Sequence, residues 1–421
     1  MIKKIRQRRI LYKNVGFLSL LQVVEYLAPL IILIYLTSTL SVDVYGKVAF
    51  AIALSQLLTI ATDFGIILFG TEYISKNRSN TKKLNYFISN IYCLKLILFL
   101  FITIILIAIP FFITTYANDH KLFIYGLLIV FGITFQPNWF FLGIEKMALV
   151  SITGSIAKLT SIPLIIFFVS NDNNYSLVIL LIGLSQCLGA IIGFFLMIAN
   201  DIRLQLPSIK GITKIIRGSF SFFAARLSGT IYTTSGTVFI GIFSSPTNAA
   251  IFAIADQLYK ALQSLFMPLN QALFPFMSAK KDLRTFLFFL IISVFLVVTV
   301  SLIGYIFMPY IFNLIFSNDY IQSLEIINIF LLCIIVHVVN VLWGYPIATA
   351  IGKMHIVNQS THIGAFAFIV IMIFLTLTKQ MIPLNVAFSM LFCEFLVFLY
   401  RLTRLVPSYI KSHDKMYKNK H

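Results

Sequence analysis

Apolar stretches of about 20 or more residues recur along the whole chain, and they constrain its fold more than any other feature. A helix of this length crosses the hydrocarbon core of a bilayer, because each residue advances it by about 1.5 Å. In lipid a backbone must satisfy its own hydrogen bonds, which a helix does within one segment. The chain is 59% hydrophobic and 11% charged, and its mean hydropathy is +0.95. We therefore predict an all-α integral membrane protein.

Twelve stretches have the length of a membrane span. They cover approximately 14–37, 45–70, 84–113, 121–143, 147–169, 176–199, 219–243, 248–276, 285–312, 324–349, 356–378 and 384–405. The first stretch lacks a small-residue cleavage site and precedes eleven others, so we expect a retained span and not a signal peptide.

Lys and Arg are distributed very unevenly between alternate connections. With the N-terminus inside, 25 of the 32 Lys and Arg lie in cytoplasmic segments, a count that includes Arg401 at the start of the last segment. Only Lys121 and Lys379 lie outside. Because Lys and Arg in short loops mark the cytoplasmic side, we predict a multi-pass protein of a bacterial inner membrane with both termini cytoplasmic. The net charge of +18 is thus a topology signal and does not indicate a nucleic-acid partner.

The outer connections are too short for a folded catalytic domain. The longest, around 313–323, holds about ten residues. The chain has no phosphate-binding Gly-rich turn and no Walker sequence. Cys93, Cys187, Cys333 and Cys393 have the spacing of neither a disulfide framework nor a zinc site. We therefore predict no catalytic residues, no metal site and no cofactor.

An internal repeat predicts the domain organisation. The tetrapeptide FAIA occurs at 50–53 and again at 252–255, an offset of 202 residues that is close to half the chain. Parallel repeats in transporters form two lobes related by a pseudo-two-fold axis along the membrane normal. We predict two such six-helix lobes with basic segments between and after them. The boundaries are 1–200 for the N-terminal lobe, 201–218 for a cytoplasmic linker, 219–406 for the C-terminal lobe and 407–421 for a tail.

Charged residues lie deep within several predicted spans. They are Glu25, Asp63, Lys95, Lys158, Arg226, Asp256, Lys260 and Glu394. A charge that faces lipid at this depth costs about 2.5 to 3.5 kcal/mol, so we expect these groups to face protein or water. They are either ion pairs that hold helices together or groups that line a polar path, and their spread over separate helices favours a path. Asp256 and Lys260 are four residues apart and can neutralise each other.

Three other polar or amphipathic side chains in the spans have simpler interpretations. His337 is predicted to be a hydrogen-bonded packing residue and not a proton relay. Trp139 and Trp343 could stack on a sugar, but interfacial anchoring is the expected role of tryptophan in a membrane protein.

Short motifs, most of them in the first 150 residues, resemble those of a known family. They are Asn14, Gln22 and Pro29, then Tyr45-Gly46, Asp63-Phe64-Gly65 and Gly70-Thr71, the stretch QPNWFFLGIEKM at 136–147, and LFPFMS at 273–278. They are similar to the motifs of Wzx-type transporters of O-antigen and capsule repeat units. That family belongs to the multidrug/oligosaccharidyl-lipid/polysaccharide exporter superfamily, and the resemblance extends to the length and span count of this chain.

The resemblance implies a flippase that moves an undecaprenyl-pyrophosphate-linked oligosaccharide to the outer leaflet by alternating access, for O-antigen or a related surface polysaccharide. Its substrate is anionic, and its lipid tail can stay in the membrane. Arg226, Lys260, Lys95 and Lys158 are the expected pyrophosphate ligands. Asp63, Glu25, Asp256 and Glu394 are expected to couple transport to H+ or Na+, or to pair with the cations. Contacts with a polymerase and a chain-length regulator are also compatible with this role.

Other transporters and one class of enzyme remain alternatives. A cation-coupled multidrug exporter of the same superfamily would share the spans and lobes, and the mixed signs of the buried charges discriminate only weakly against it. Lipid II flippases also resemble the chain but usually carry more spans. A membrane polysaccharide polymerase would need an outer loop or a catalytic constellation, and the sequence offers neither.

Overall fold

The computed structural model describes residues 27–280 and 283–418, and every regular element in these ranges is helical. The first half contains α1 (Leu27–Thr39), α2 (Val42–Asp63), α3 (Ile66–Asn77), α4 (Thr81–Phe112), α5 (His120–Phe135), α6 (Asn138–Gly143), α7 (Met147–Phe168) and α8 (Tyr175–Ile198). The second half contains α9 (Ile209–Thr234), α10 (Gly236–Phe243), α11 (Pro246–Lys280), α12 (Leu283–Ile315), α13 (Ser323–Ala350), α14 (Met354–Leu377) and α15 (Pro383–Lys418).

Nine segments of the described ranges are long and apolar enough to cross a membrane. The shorter apolar helix α1 is the described part of the predicted first span. The predicted seventh and eighth spans, 219–243 and 248–276, are helical but do not belong to the nine, since polar residues such as Arg226 and Asp256 lower their hydropathy. The prediction of an all-α multi-pass membrane protein is confirmed.

The chain divides into two compact units between Leu227 and Ser228, within α9. The second lobe was predicted to start earlier, at 219. In the first unit α5 packs against α2, α4 and α8, and α7 packs against α8. In the second unit α13 packs against α11, α12 and α15, and α15 also packs against α14.

The repeated FAIA tetrapeptide has the same packing role in both units. Phe50 and Phe252, the first residues of the two copies, are each 0% exposed. Phe50 of α2 meets Phe123 of α5 edge to face, with ring centroids 6.3 Å apart. Phe252 of α11 meets Phe330 of α13 edge to face at 5.7 Å. Each copy therefore anchors its helix to the same relative neighbour, as an internal repeat requires.

The basic segments at 201–218 and 407–421 are partly helical where the structure describes them. α9 begins at Ile209 and α15 continues to Lys418, so much of both segments is helical. Lys and Arg have high helix propensities. The extended part of the first segment is attached to α4, where side chains accept hydrogen bonds from backbone amides. The pairs are Asn85 with Arg203, Ser89 with Gln205 and Asn90 with Ser208, at 3.1, 2.7 and 2.8 Å.

The motif turn between α6 and α7 is held by Arg78 at the end of α3. Its Nε donates to the carbonyl of Gly143 at 2.7 Å, and its Nη2 donates to Oε1 of Glu145 at 2.8 Å. The hydrogen bond and charge of Arg78 hold the pKa of Glu145 below its ordinary value. Glu145 itself has a φ of 62°, which fits a tight turn. The Gly-x-Glu-Lys-Met motif therefore has a structural role in this chain.

The predicted second span, 45–70, is not continuous. Phe64 and Gly65 both adopt left-handed backbone conformations, with φ of 46° and 73°, and separate α2 from α3. α9 passes unusually close to this break: a Cβ added at Gly65 would lie 2.5 Å from the amide nitrogen of Phe223 and 2.7 Å from the carbonyl oxygen of Ser219. The ring of Phe64 stacks on that of Phe223 at 4.6 Å. The break is thus the place where α9 docks.

Replacement of Gly65 by Ala tests this docking. The left-handed conformation alone should cost about 1 to 2 kcal/mol. Gly352, with a φ of 69° and no atom near its added Cβ, carries only that cost and provides the matched control. We expect Gly65→Ala to lower the melting temperature of the detergent-purified protein clearly more than Gly352→Ala. Equal decreases would contradict the close approach of α9.

Candidate functional site

Two helix breaks surround the polar interior of the first unit. One lies at Phe64 and Gly65, immediately after Asp63, and the other lies at Gln136 and Pro137, between α5 and α6. Proline has no amide hydrogen and interrupts the ladder of helical hydrogen bonds. Breaks of this kind leave backbone groups that need other partners, and in transporters they often flank the substrate or ion site.

Asp63 of α2 joins two cations from different helices. Its Oδ2 accepts a hydrogen bond from Nη1 of Arg226 in α9 at 2.6 Å. Its Oδ1 lies 3.9 Å from Nζ of Lys95 in α4. Among the described residues, the two cations Lys95 and Arg226 therefore face the carboxylate of Asp63. We call this group the α9 charge cluster.

The two cations of the α9 charge cluster differ in exposure. The side chain of Lys95 is 3% exposed, whereas that of Arg226 is 38% exposed and that of Asp63 is 15% exposed. Lys95 donates to the carbonyl of Thr134 at 2.7 Å, a group at the end of α5 that the break leaves available. Lys95 is thus enclosed by protein, and Arg226 presents the accessible positive charge of the cluster.

Trp139 closes the buried side of this cluster. Its ring lies 6.0 Å from Nζ of Lys95, and the residue is 1% exposed within the core formed by α3, α4 and α6. Interfacial anchoring and sugar stacking are therefore both wrong for Trp139, because neither lipid headgroups nor a sugar can reach it. The sequence could not reveal this, since the break at Pro137 turns α6 inward.

Polar atoms near the second break lack partners in the described part of the chain. They are Nε2 of Gln136 and Oδ1 of Asn138, both buried. Buried polar groups normally have a hydrogen-bond partner, so this region suits a water molecule or a polar ligand group.

The second unit holds the predicted pair on α11. Nζ of Lys260 lies 2.7 Å from Oδ2 of Asp256, one helical turn earlier. The Asp256 side chain is 7% exposed and that of Lys260 is 30% exposed. Oδ1 of Asp256 is buried without a hydrogen-bond partner among the described residues. A proton or a small cation could occupy that position.

Glu394 of α15 is the centre of a separate buried network. Its Oε1 lies 2.8 Å from Nδ1 of His337, and its Oε2 accepts from Nδ2 of Asn340 at 2.6 Å. Both partners belong to α13, and Glu394 is 2% exposed. His337 is hydrogen-bonded, as the sequence suggested, and its partner is the buried carboxylate.

Arg401 extends this network to a third helix. Its Nη1 donates to the carbonyl of Asn340 at 2.6 Å, and its Nε donates to Oγ of Ser360 in α14 at 2.8 Å. Arg401 was counted with the last cytoplasmic segment, but it is 3% exposed and is enclosed by protein. It follows Glu394 by seven residues and lies on the same face of α15, a spacing that could have indicated an inward position.

The other two predicted site residues are Lys158 and Glu25. Lys158 lies half-buried in α7. Glu25 falls outside the described residues. The structure therefore brings together Asp63, Lys95 and Arg226 in the first unit, and Asp256 and Lys260 in the second.

Comparisons with known proteins connect this architecture to a family. The family model described as "Polysaccharide biosynthesis protein" matches residues 11–281. A protein of Shigella dysenteriae named "Putative O-antigen transporter" is 28% identical over 63% of this chain and 67% of its own length. A protein of the same name from Escherichia coli strain K12 is 25% identical over 64% of this chain and 65% of its own length. The chain thus matches about two thirds of the length of these relatives.

Solved structures share the fold over nearly the whole chain. The lipid II flippase MurJ in an inward closed conformation aligns with a TM-score of 0.70 at 14% identity, over 95% of this chain and 89% of its own. An inward-facing multidrug resistance MATE family transporter of the MOP superfamily aligns with a TM-score of 0.67 at 14% identity, over 93% and 94% of the two chains. At these identities the likeness establishes the fold alone.

Removal of the central carboxylate tests the α9 charge cluster. Asp63→Asn should reduce the free energy of unfolding by about 2 kcal/mol, because it leaves Lys95 buried with a backbone carbonyl as its main partner. This loss of unfolding free energy is smaller than the loss expected for a fully buried ion pair, because Arg226 is partly solvated. Glu72→Gln is the control, because its pair with Lys76 is exposed and should contribute less than about 1 kcal/mol. If the two variants changed unfolding in detergent equally, Asp63 would not be the stabilising partner of Lys95 and Arg226.

Proposed function

Because the chain belongs to the polysaccharide biosynthesis protein family, as its motifs predicted, we propose that it is a flippase for lipid-linked oligosaccharides. It is a multi-pass membrane protein, and the relatives named O-antigen transporter support transport rather than catalysis as its role. Its proposed substrate is an undecaprenyl-pyrophosphate-linked repeat unit of O-antigen or a related surface polysaccharide. The protein would move this unit from the cytoplasmic to the outer leaflet by alternating access, in the bacterial inner membrane with both termini cytoplasmic.

The α9 charge cluster carries the proposal. A pyrophosphate headgroup needs cationic donors within the membrane, and an Arg guanidinium suits its planar pairs of oxygens. Arg226 is 38% exposed, and its pair with Asp63 orients it beside the break where α9 docks. Substrate binding can compete with Asp63 for this guanidinium. Lys95 would then keep Asp63 from becoming an unpaired buried charge.

The remaining predicted residues receive different roles from their surroundings. Lys260 is 30% exposed and is the second proposed pyrophosphate ligand. Asp256, with one unpartnered buried oxygen among the described residues, and Asp63 are the proposed carriers of H+ or Na+. Glu394 is held by His337 and Asn340 and is proposed to fix α13 to α15.

A cation-coupled multidrug exporter is the second candidate, and the likeness to MATE transporters makes it relevant. The exposed guanidinium of Arg226 favours an anionic substrate over a cationic drug. A polysaccharide polymerase is disfavoured by the relatives named O-antigen transporter and by the short connections between the predicted spans.

Replacement of Arg226 tests the substrate role. In cells that depend on this gene, Arg226→Ala should reduce surface polysaccharide about tenfold or more, because a charge-assisted contact to phosphate contributes about 1.5 to 3 kcal/mol. Arg217→Ala, an exposed arginine on the same helix, is the matched control and should retain normal polysaccharide. Undiminished polysaccharide in Arg226→Ala, at normal membrane levels, would remove this residue from the mechanism.

Loss of the gene distinguishes the candidate functions. A flippase defect should leave lipid-linked repeat units on the cytoplasmic face, where an externally added glycosidase cannot reach them in intact spheroplasts. A polymerase defect would leave unpolymerised units on the outer face, accessible to the same glycosidase. Unchanged repeat units combined with greater sensitivity to cationic drugs would favour the exporter.

A further inference from the structure

In the second unit, the end of α9 lies against α14 through polar and aromatic side chains. Oγ of Ser228 in α9 is 2.6 Å from Nδ1 of His362 in α14. One turn further along α9, the buried ring of Tyr232 packs beside Gly364, where an added Cβ would lie 3.5 Å from the Cε1 atom of the ring. The two helices are therefore in direct contact at two successive turns of α9.

The first turns of α14 expose polar side chains within a membrane span. Asn358 and His362 are both exposed and lie four residues apart, so they share one side of the helix. His362 follows the start of the span at Met354 by eight residues, or about 12 Å. Because an imidazole at this depth is costly in contact with hydrocarbon, this part of α14 needs water or a polar ligand beside it. Phe366, one turn further, is exposed and apolar, so the polar part ends there.

The part of α9 that meets α14 is rich in hydroxyl groups. Side chains with a hydroxyl occupy five of the seven positions from 228 to 234, namely Ser228, Thr230, Tyr232, Thr233 and Thr234. Gly229 lies among them, and a Cβ added there would have no described atom within 4 Å. Glycine is unfavourable inside a helix, but it lets a ligand approach the backbone closely. α9 therefore has open space directly beside Ser228.

The chemistry of these groups suits a ligand that carries many hydroxyl groups. Imidazole, carboxamide and hydroxyl side chains all donate or accept hydrogen bonds. Among the described residues, the imidazole of His362 is hydrogen-bonded to Ser228 alone, and the carboxamide of Asn358 has no hydrogen-bond partner. Sugar hydroxyls both donate and accept, whereas a prenyl or acyl chain offers no polar group.

We propose that Ser228, Gly229, Asn358 and His362 form a surface that binds the sugar of the transported lipid-linked oligosaccharide. We call this surface the α9–α14 polar face. The inference rests on the proposed flippase function and adds to it a place for the sugar, which phosphate ligands do not provide. Asn358 and His362 would hydrogen-bond the sugar hydroxyls, and the space beside Gly229 would admit a sugar ring.

The test measures binding of two lipids to the full-length protein in detergent by native mass spectrometry. One lipid is undecaprenyl pyrophosphate, and the other is the lipid-linked repeat unit extracted from cells that lack this gene. Asn358→Ala combined with His362→Ala should raise the dissociation constant for the repeat unit about tenfold or more, because two hydrogen bonds are lost. The affinity for undecaprenyl pyrophosphate should change less than about twofold. His362→Gln keeps a hydrogen-bonding group and should lose less than about threefold of the repeat-unit affinity.

Gly229→Leu is a second variant, whose effect does not depend on a loss of helix stability, since leucine favours a helix more than glycine does. Its side chain would fill the open space, so repeat-unit affinity should fall about tenfold while the melting temperature is maintained. Asn118→Ala combined with His120→Ala is the matched control. It removes the same two residue types from exposed positions of the first unit and should change neither affinity.

The unchanged protein should bind the repeat unit more tightly than undecaprenyl pyrophosphate. If it binds both lipids equally, or if the variants at the α9–α14 polar face weaken both equally or neither, this inference is overturned and the proposed function stands. A surface that holds only water would give this result. If the unchanged protein binds neither lipid, the proposed function fails, and the inference fails with it.

Discussion

A charge or an unbonded carbonyl is costly in contact with hydrocarbon. In the polar interior of this chain, buried charges and the carbonyls freed by helix breaks serve as partners for one another. In the first unit, the break after α5 leaves the carbonyl of Thr134, and the ammonium of Lys95 binds it at 2.7 Å. The break after α2 follows Asp63, whose carboxylate receives Arg226 and lies near Lys95. The helix breaks and the buried charges therefore stabilise one another, and removal of either component leaves the other without partners.

In the second unit, the buried charges are also neutralised or hydrogen-bonded, by side chains of the same helix or of neighbouring helices. Asp256 and Lys260 pair within a single helix, and Glu394 is bound by two side chains of α13. Arg401 then links α13, α14 and α15 through a carbonyl and a hydroxyl. This network connects three helices with hydrogen bonds and presents little charge to solvent. We interpret it as a rigid scaffold, in contrast to the α9 charge cluster, where a guanidinium stays accessible to a headgroup.

Features that depend on local spacing could be predicted from the sequence, and features that depend on distant contacts could not. The helical spans follow from apolar length, and the pairing of Asp256 with Lys260 follows from their separation by one turn. Asp63, the partner of Arg226, lies 163 residues away in the sequence. The residues around Arg226 and around Asp63 give no indication that these two side chains pair. The break at Phe64 was also hidden, because a phenylalanine rarely adopts a left-handed conformation and the docking of α9 stabilises it there. The burial of Trp139 and Arg401 was not predicted for a related reason, since it depends on helices that meet them from elsewhere in the chain.

Arg226 is proposed to recognise the pyrophosphate of a lipid-linked substrate. The most direct measurement compares the affinity of the purified protein for undecaprenyl pyrophosphate with its affinity for undecaprenol, in the unchanged protein and in Arg226→Gln. If the guanidinium binds the headgroup, the unchanged protein prefers the pyrophosphate, and the variant loses about tenfold or more of that preference while its affinity for undecaprenol stays the same. If the variant kept the same preference for the pyrophosphate, Arg226 would not be the residue that recognises it.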